Sequence, residues 1–327
     1  MRGPWGQLWD RLWARSSARA PAPRAAPAPA LLGAPPQPDL SLLPAVQGLR
    51  ICAPGFALGQ GQGERRGRGA GAGLEFAEHR PYQPGDDLRH LDPHAYLRLQ
   101  QLLVRTFHAD RDQELVVALD LSGSMDAGRP RKLDHGASLA LGLAAAALNG
   151  RDTLELRLVT AAPVRPVIGR DRSAWGPLLR TLTATAPGGA GTLAEALAGR
   201  RRRADRAIFI SDMLLEDAAM LEALRALRAA AERPLLVQVL APEDLDPGRE
   251  GLLPDGENEL VDAESGERLR AGGDRRLREA WAAEARAWLD RVERSCQLVG
   301  VQRVCTSTRA PLAPFFSSTL RRAGLLQ

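Results

Sequence analysis

Lysine is almost missing from this chain of 327 residues: Lys132 is the one lysine among 44 basic side chains, and the rest are arginine. Alanine, glycine and proline are abundant, so the skew reads as coding bias toward GC-rich codons. The net charge of +5 and the pI near 9.8 are therefore weak arguments for nucleic acid. Cysteine is sparse as well. Cys52, Cys296 and Cys305 lie far apart and form no Cys-x-x-Cys pair, which excludes that kind of metal site and predicts buried, reduced thiols in a cytoplasmic setting. No apolar run reaches the roughly 18 residues that a spanning helix needs. The N-terminus lacks the continuous apolar core and small-residue cleavage site of a secretory signal. No phosphate-binding G-x-x-x-x-G precedes Lys132, and the nucleophile elbow G-x-S-x-G fails at both Ser122 and Ser124.

An apolar fraction of 44% predicts a proper core, and the length suits one large or two modest domains. Trp5, Leu8, Trp9, Leu12 and Trp13 recur at helical spacing, flanked by Arg2, Arg11 and Arg15. Such a helix suits a membrane surface or a partner; a short helix packed on its own domain is the plainer alternative. Residues 20–38 are Pro/Ala-rich and read as a linker. Residues 59–73 form a Gly/Arg-rich stretch, read as an exposed loop, with nucleic-acid binding as the alternative. His90 and His94 are four apart, but Pro93 interrupts any helix between them, which speaks against a zinc pair.

From residue 114 onward strands and helices alternate. Strands are predicted at 115–121, 153–159, 207–210, 235–240 and 301–304, with 164–168 as a hairpin partner of the second. Helices are predicted at 133–148, 175–182, 193–199, 214–231, 276–294 and 314–324, and a further hairpin turns around Ser265-Gly266. Trp281 and Trp288 are expected as core anchors. This pattern is that of an α/β protein, a mostly parallel sheet with helices on both faces.

The run Glu114 to Met125 organises the rest. A buried strand ends in Asp120, Ser122 and Ser124, a carboxylate and two hydroxyls at the edge where open α/β sheets bind ligands. Small oxygen ligands suit a hard cation such as Mg²⁺; an ordinary serine-rich turn is the alternative for this motif alone. Thr192 opens a later helix after Gly188-Gly189-Ala190-Gly191, and Asp212 follows another buried strand. Together these resemble the von Willebrand factor A fold and its metal-ion-dependent adhesion site, which combines Asp-x-Ser-x-Ser with a distant Thr and a later Asp. The preceding Gly73-Leu-Glu75-Phe76, Arg80-x-Tyr82-x-x-Gly85-Asp86-Asp87-x-Arg89 and Leu103-Val104-Arg105 resemble domain-of-unknown-function family 58, whose members join this segment to an A-like domain. Where that family usually has Asp-Trp, this chain has Asp92-Pro93, which leaves the local packing open.

Composition sets apart an amphipathic helix and Pro/Ala linker at 1–39; the resemblance, which covers roughly 40–327, implies a family-specific segment at 40–112 and a von Willebrand factor A-like, Rossmann-like domain with a C-terminal elaboration at 113–327. It implies Mg²⁺, or Mn²⁺ or Ca²⁺, held by Ser122 and Ser124 directly, by Thr192 directly or through water, and by Asp120 and Asp212 largely through water. It further implies a non-catalytic protein-interaction module that works with a MoxR-type AAA+ ATPase in complex assembly or maturation; the sparse cysteines and the Trp5, Trp9 and Trp13 spacing place it in the cytoplasm, or peripheral to the inner face of the membrane through those tryptophans. Two alternatives come from other classes. One is a metal-dependent phosphohydrolase with Asp120 as nucleophile; it would want a second Asp at position 122 and a lysine much later than Lys132. The other is a nucleic-acid binder using residues 59–73, which lack interleaved aromatics.

Overall fold

The computed structural model describes residues 33–52, 76–83, 86, 88–107, 113–188, 191–248, 251, 253–261 and 268–327. The tryptophan helix, the Arg/Gly stretch and the Ser265-Gly266 turn lie outside these. The chain divides into two compact units, residues 57–112 and the remainder. The first described elements, a tight turn Leu40–Leu42 and the helical turn α1 (Leu43–Val46), belong to the larger unit.

In the smaller unit, β1 (Phe76–Pro81) pairs antiparallel with β2 (Leu103–Phe107) around helix α2 (Pro93–Leu99). Asp92 starts α2: its carboxylate accepts the N–H groups of His94 and Ala95, and Pro93 fills the first helical position, where no N–H is needed. His79 Nε2 lies 2.7 Å from the same carboxylate. The Asp92-Pro93 pair is thus a helix start in its own right. Among the described residues, no three or more His, Cys, Asp and Glu side chains gather into a group that could hold a metal ion by themselves.

The larger unit is built on β3 (Glu114–Asp120), α3 (Lys132–Asn149), β4 (Thr153–Val159), β5 (Val167–Gly169), α4 (Trp175–Ala184), α5 (Leu193–Leu197), β6 (Ala204–Ser211), α6 (Asp217–Ala230), β7 (Ala231–Leu240), α7 (Pro242–Leu245), the hairpin β8 (Glu257–Val261) and β9 (Arg268–Gly272), α8 (Arg275–Val299) and β10 (Gln302–Ser307). One six-stranded sheet runs β10-β7-β6-β3-β4-β5; every pairing is parallel except β4 with β5. β3 is buried from Leu115 to Asp120 because both faces are covered. Leu115, Val117 and Leu119 share one core with α3 and α4; Val116 and Ala118 share the other with α5, α6 and Trp288 of α8.

Several expectations shift. Residues 40–52, expected with the segment before the A-like domain, pack on that domain: Val46 and Ile51 are buried in the α3-side core, Asn149 Nδ2 donates to the Gln47 carbonyl at 2.9 Å, and Ile51 bridges Leu326. Trp288 is a fully buried anchor, while Trp281 is half-buried and donates its indole N–H to the Asp244 carbonyl at 3.1 Å. Cys52 and Cys296 are buried thiols, but Cys305 is exposed on an edge strand. The closing helix is a short turn that widens into a π-helix over Phe315–Leu320, which seats the Phe316 ring on Gly142 of α3.

That seat allows a test. A Cβ on Gly142 would lie 2.4 Å from Phe316 Cζ, in a ring with no exposed surface to retreat to. Gly142→Ala should destabilise the protein by about 1–3 kcal/mol, measured by urea unfolding, and Phe316→Leu in the same chain should recover part of the loss.

Candidate metal centre

β3 and β6 lie side by side, with Leu119 level with Ile210, so the residues that follow, Asp120 and Ser211-Asp212, emerge together at the carboxyl edge of the sheet. Asp120 is buried and both of its oxygens are in use. Oδ1 accepts the Ser122 N–H at 2.9 Å, closing a tight turn, and Oδ2 accepts the Ser211 hydroxyl at 2.7 Å. The same Ser211 oxygen accepts the Met213 N–H at 2.9 Å. The turn brings Ser122 Oγ to 3.1 Å from Ser124 Oγ, and Ser124 reaches Asp212 Oδ1 at 3.3 Å. Four of the five residues singled out from the sequence, Asp120, Ser122, Ser124 and Asp212, therefore form one connected group.

Thr192 stands on a neighbouring loop. That loop is fastened to the site by Gly188, whose N–H reaches the Leu121 carbonyl at 2.9 Å, and by Gly191, which lies so close to the Thr160 backbone that a Cβ would sit 2.3 Å from its carbonyl oxygen. The Thr192 side chain is exposed and caps α5: its hydroxyl accepts the Glu195 N–H at 3.2 Å, and Glu195 reciprocates to the Thr192 N–H at 3.1 Å. The hydrogen bonds of the Thr192 side chain are thus kept within its own helical turn, and Thr192 is not part of the connected group.

Two participants were not found from the sequence. Lys132, dismissed there as too early in the chain, is fully buried at the site; its Nζ lies 2.8 Å from Asp212 Oδ2 and 3.1 and 3.0 Å from the two oxygens of Asp244. Burial opposes the charge on Lys132, but Asp212 and Asp244 outweigh it and keep the ammonium protonated above its ordinary range. Asp244 carries no motif; it caps α7 by accepting the Ala241 N–H at 2.9 Å.

The Asp212 loop is held from behind. Gln238 Nε2 donates to the Asp212 carbonyl at 2.8 Å, and the Trp288 indole N–H donates to the Met213 carbonyl at 3.1 Å. Met213 has φ of +60°, a left-handed conformation that costs a non-glycine residue energy and persists only where its surroundings fix it.

A profile for the family described as "Protein of unknown function DUF58" matches residues 78–290. The chain belongs to this family. Relatives include proteins named Uncharacterized protein Rv1480 from Mycobacterium tuberculosis and Uncharacterized protein Mb1516 from Mycobacterium bovis, each 36% identical over 235 residues, 68% of this chain and 72% of theirs. Solved structures similar to it include the conserved hypothetical protein BatB from Bacteroides thetaiotaomicron, with 12% identity, a TM-score of 0.36 and coverage of 64% of this chain and 98% of that one. The VWA domain of SpRpn10 matches with 8% identity, a TM-score of 0.31 and coverage of 62% and 92%. In this family member the strand order is that of a doubly wound, mostly parallel sheet with β3 and β6 at its centre.

The donor set of this DUF58 chain suits a hard cation. Two ligands at right angles on an ion with bonds of about 2.1 Å lie about 3 Å apart, and the Ser122 and Ser124 oxygens are 3.1 Å apart. Both oxygens of Asp120 are already engaged by protein donors, so the hydroxyls are the groups best placed to contact an ion directly. The same engagement is unsuited to an Asp120 nucleophile, which needs a free, accessible oxygen.

Burial first, and then the nearby charge of Asp212, raise the Asp120 carboxyl to about 6 from its usual 3.8. The folded protein keeps this proton to higher pH than the unfolded chain. The stability it contributes is complete below 3.8 and is lost as pH rises through about 6, a loss bounded by about 3 kcal/mol. In urea melts with chelator at pH 4 and pH 7, Asp120→Asn should fold and should lack this part of the wild-type pH dependence.

Proposed function

We propose that this protein is a metal-dependent protein-interaction module, in which Mg²⁺, or Mn²⁺ or Ca²⁺ in its place, sits at Ser122 and Ser124 with Thr192 alongside, and an acidic side chain of a partner completes the coordination. The observation that supports this most is the pair of serine hydroxyls 3.1 Å apart at the sheet edge, ringed by carboxylates whose oxygens are committed to protein donors. Neutral direct ligands leave an ion with most of its charge uncompensated, and an incoming carboxylate supplies what is missing. A fully anionic cage would have no such appetite.

The ion's contribution when bound is to bridge two proteins. The chain's own residues set its position: Asp120 orients Ser122 through the turn, Asp212 orients Ser124, and the glycine contacts of the 188–191 loop bring Thr192 to the rim. Following the resemblance of its sequence, we assign the partner as a MoxR-type AAA+ ATPase and the process as assembly or maturation of a complex. We place that work on the cytoplasmic side of the membrane, with Trp5, Trp9 and Trp13 as its peripheral contact. Among the described residues no helix is long and apolar enough to cross a membrane.

The test is a pull-down of the ATPase by the purified full-length protein, in Mg²⁺ and in chelator, paired with calorimetric titration of the metal. Binding should require metal and should be lost in Asp120→Ala and Ser122→Ala. Thr192→Ala should weaken capture while lowering stability by only about 1 kcal/mol, the cost of a lost helix cap. Equal capture with and without metal would rule out the bridge.

A further inference from the structure

Lys132 is the chain's one lysine, in a protein that uses arginine at every other basic position. It has no exposed surface. Its stem runs past Gly128, where a Cβ would come 3.5 Å from Lys132 Cγ and 2.9 Å from the Ala241 Cβ. The passage accepts a slender alkyl chain with a compact ammonium at its end. A guanidinium, flat and forked, is a different shape and could not make these contacts by simple replacement. The ammonium's reach is spent on Asp212 at 2.8 Å and on both oxygens of Asp244 at 3.1 and 3.0 Å. It thereby joins the loop after β6 to the loop after β7.

The charges nearby are Asp120, Asp212 and Asp244 against Lys132. With the carboxylates ionised, the lysine leaves the group with two net negative charges, which one divalent ion would balance. Without the lysine, Asp212 and Asp244 would face each other in a buried site with nothing between them.

We propose that Lys132 is the resident counter-cation of this site: it holds the loops assembled when no metal is present, and by offsetting one carboxylate it limits how tightly a divalent ion is held. The proposal rests on the metal reading above. Its consequence is that the empty site stays folded, so ion binding is free to follow docking of a partner and to reverse when the partner leaves. A site without such a cation would need the metal in order to fold.

The experiment uses the full-length protein as wild type, Lys132→Gln, Asp244→Asn and the double variant. Each is melted in chelator and in Mn²⁺, and each is titrated with Mn²⁺ by calorimetry. Lys132→Gln should melt about 10 °C lower than wild type in chelator, recover most of that loss in Mn²⁺, and bind the ion on the order of tenfold tighter. Asp244→Asn should bind on the order of tenfold more weakly. The double variant, with the original charge count, should return to near wild-type affinity. A purely structural role for the lysine would weaken binding in every variant, and that result overturns the proposal, as does a Lys132→Gln protein that melts like wild type in chelator. If Lys132→Gln does not fold even with Mn²⁺, the other two variants decide, and an Asp244→Asn affinity equal to wild type overturns the proposal. A folded wild type that binds no metal defeats the functional reading. In that case Mn²⁺ binding gained by Lys132→Gln still supports a lysine standing in for an ion, and no binding by either defeats both.

Discussion

The placement of the site depends on one topological constraint: β3 and β6 are neighbours, yet the helices that follow them cover opposite faces of the sheet. After β3 the chain turns to α3 on one side, and after β6 it turns to α6 on the other. The two connections part at the carboxyl edge and leave a crevice between them. Asp120 and Asp212 end up there because they are the residues at which the two strands stop being strands. The chain leading to Thr192 is tied to this edge by the Gly188 N–H on the Leu121 carbonyl and by the close approach of Gly191 to the Thr160 backbone.

Much of this was legible in the sequence because it is written in local patterns. The apolar run Leu115–Leu121, the Ala/Leu helix that follows and the strands near 153 and 207 came out in the right order and nearly at the right bounds. Asp120, Ser122 and Ser124 could be read as a unit since their alternation survives as a single turn. Boundaries were less legible. β6 and β7 begin earlier than their apolar cores, because Ala204–Arg206 and Ala231–Arg233 pair through backbone whatever their side chains are. Residues 40–52 look like the start of a separate segment, and nothing local reveals that Val46 and Ile51 are buried against α3.

Lys132 and Asp244 show the limit in sharper form. Their contact spans 112 residues and matches no spacing rule. One compositional clue was available: a lone lysine in an arginine-rich chain marks a position where arginine was not an acceptable substitute. The Asp92-Pro93 pair gives the opposite lesson. It departs from the family pattern, yet the pair itself spells an ordinary helix start, with an aspartate cap followed by a proline that needs no donor.

The left-handed Met213 has a reach beyond its own loop. Its carbonyl is held by Trp288, and Trp288 lies on α8, a helix of 25 residues that ends next to β10. The conformation that aims Asp212 is therefore not set within the loop alone; an indole 75 residues further along the chain holds it together with the Ser211 hydroxyl. Substitutions that change the core volume under α8 would be felt at the sheet edge as a change in where a carboxylate points.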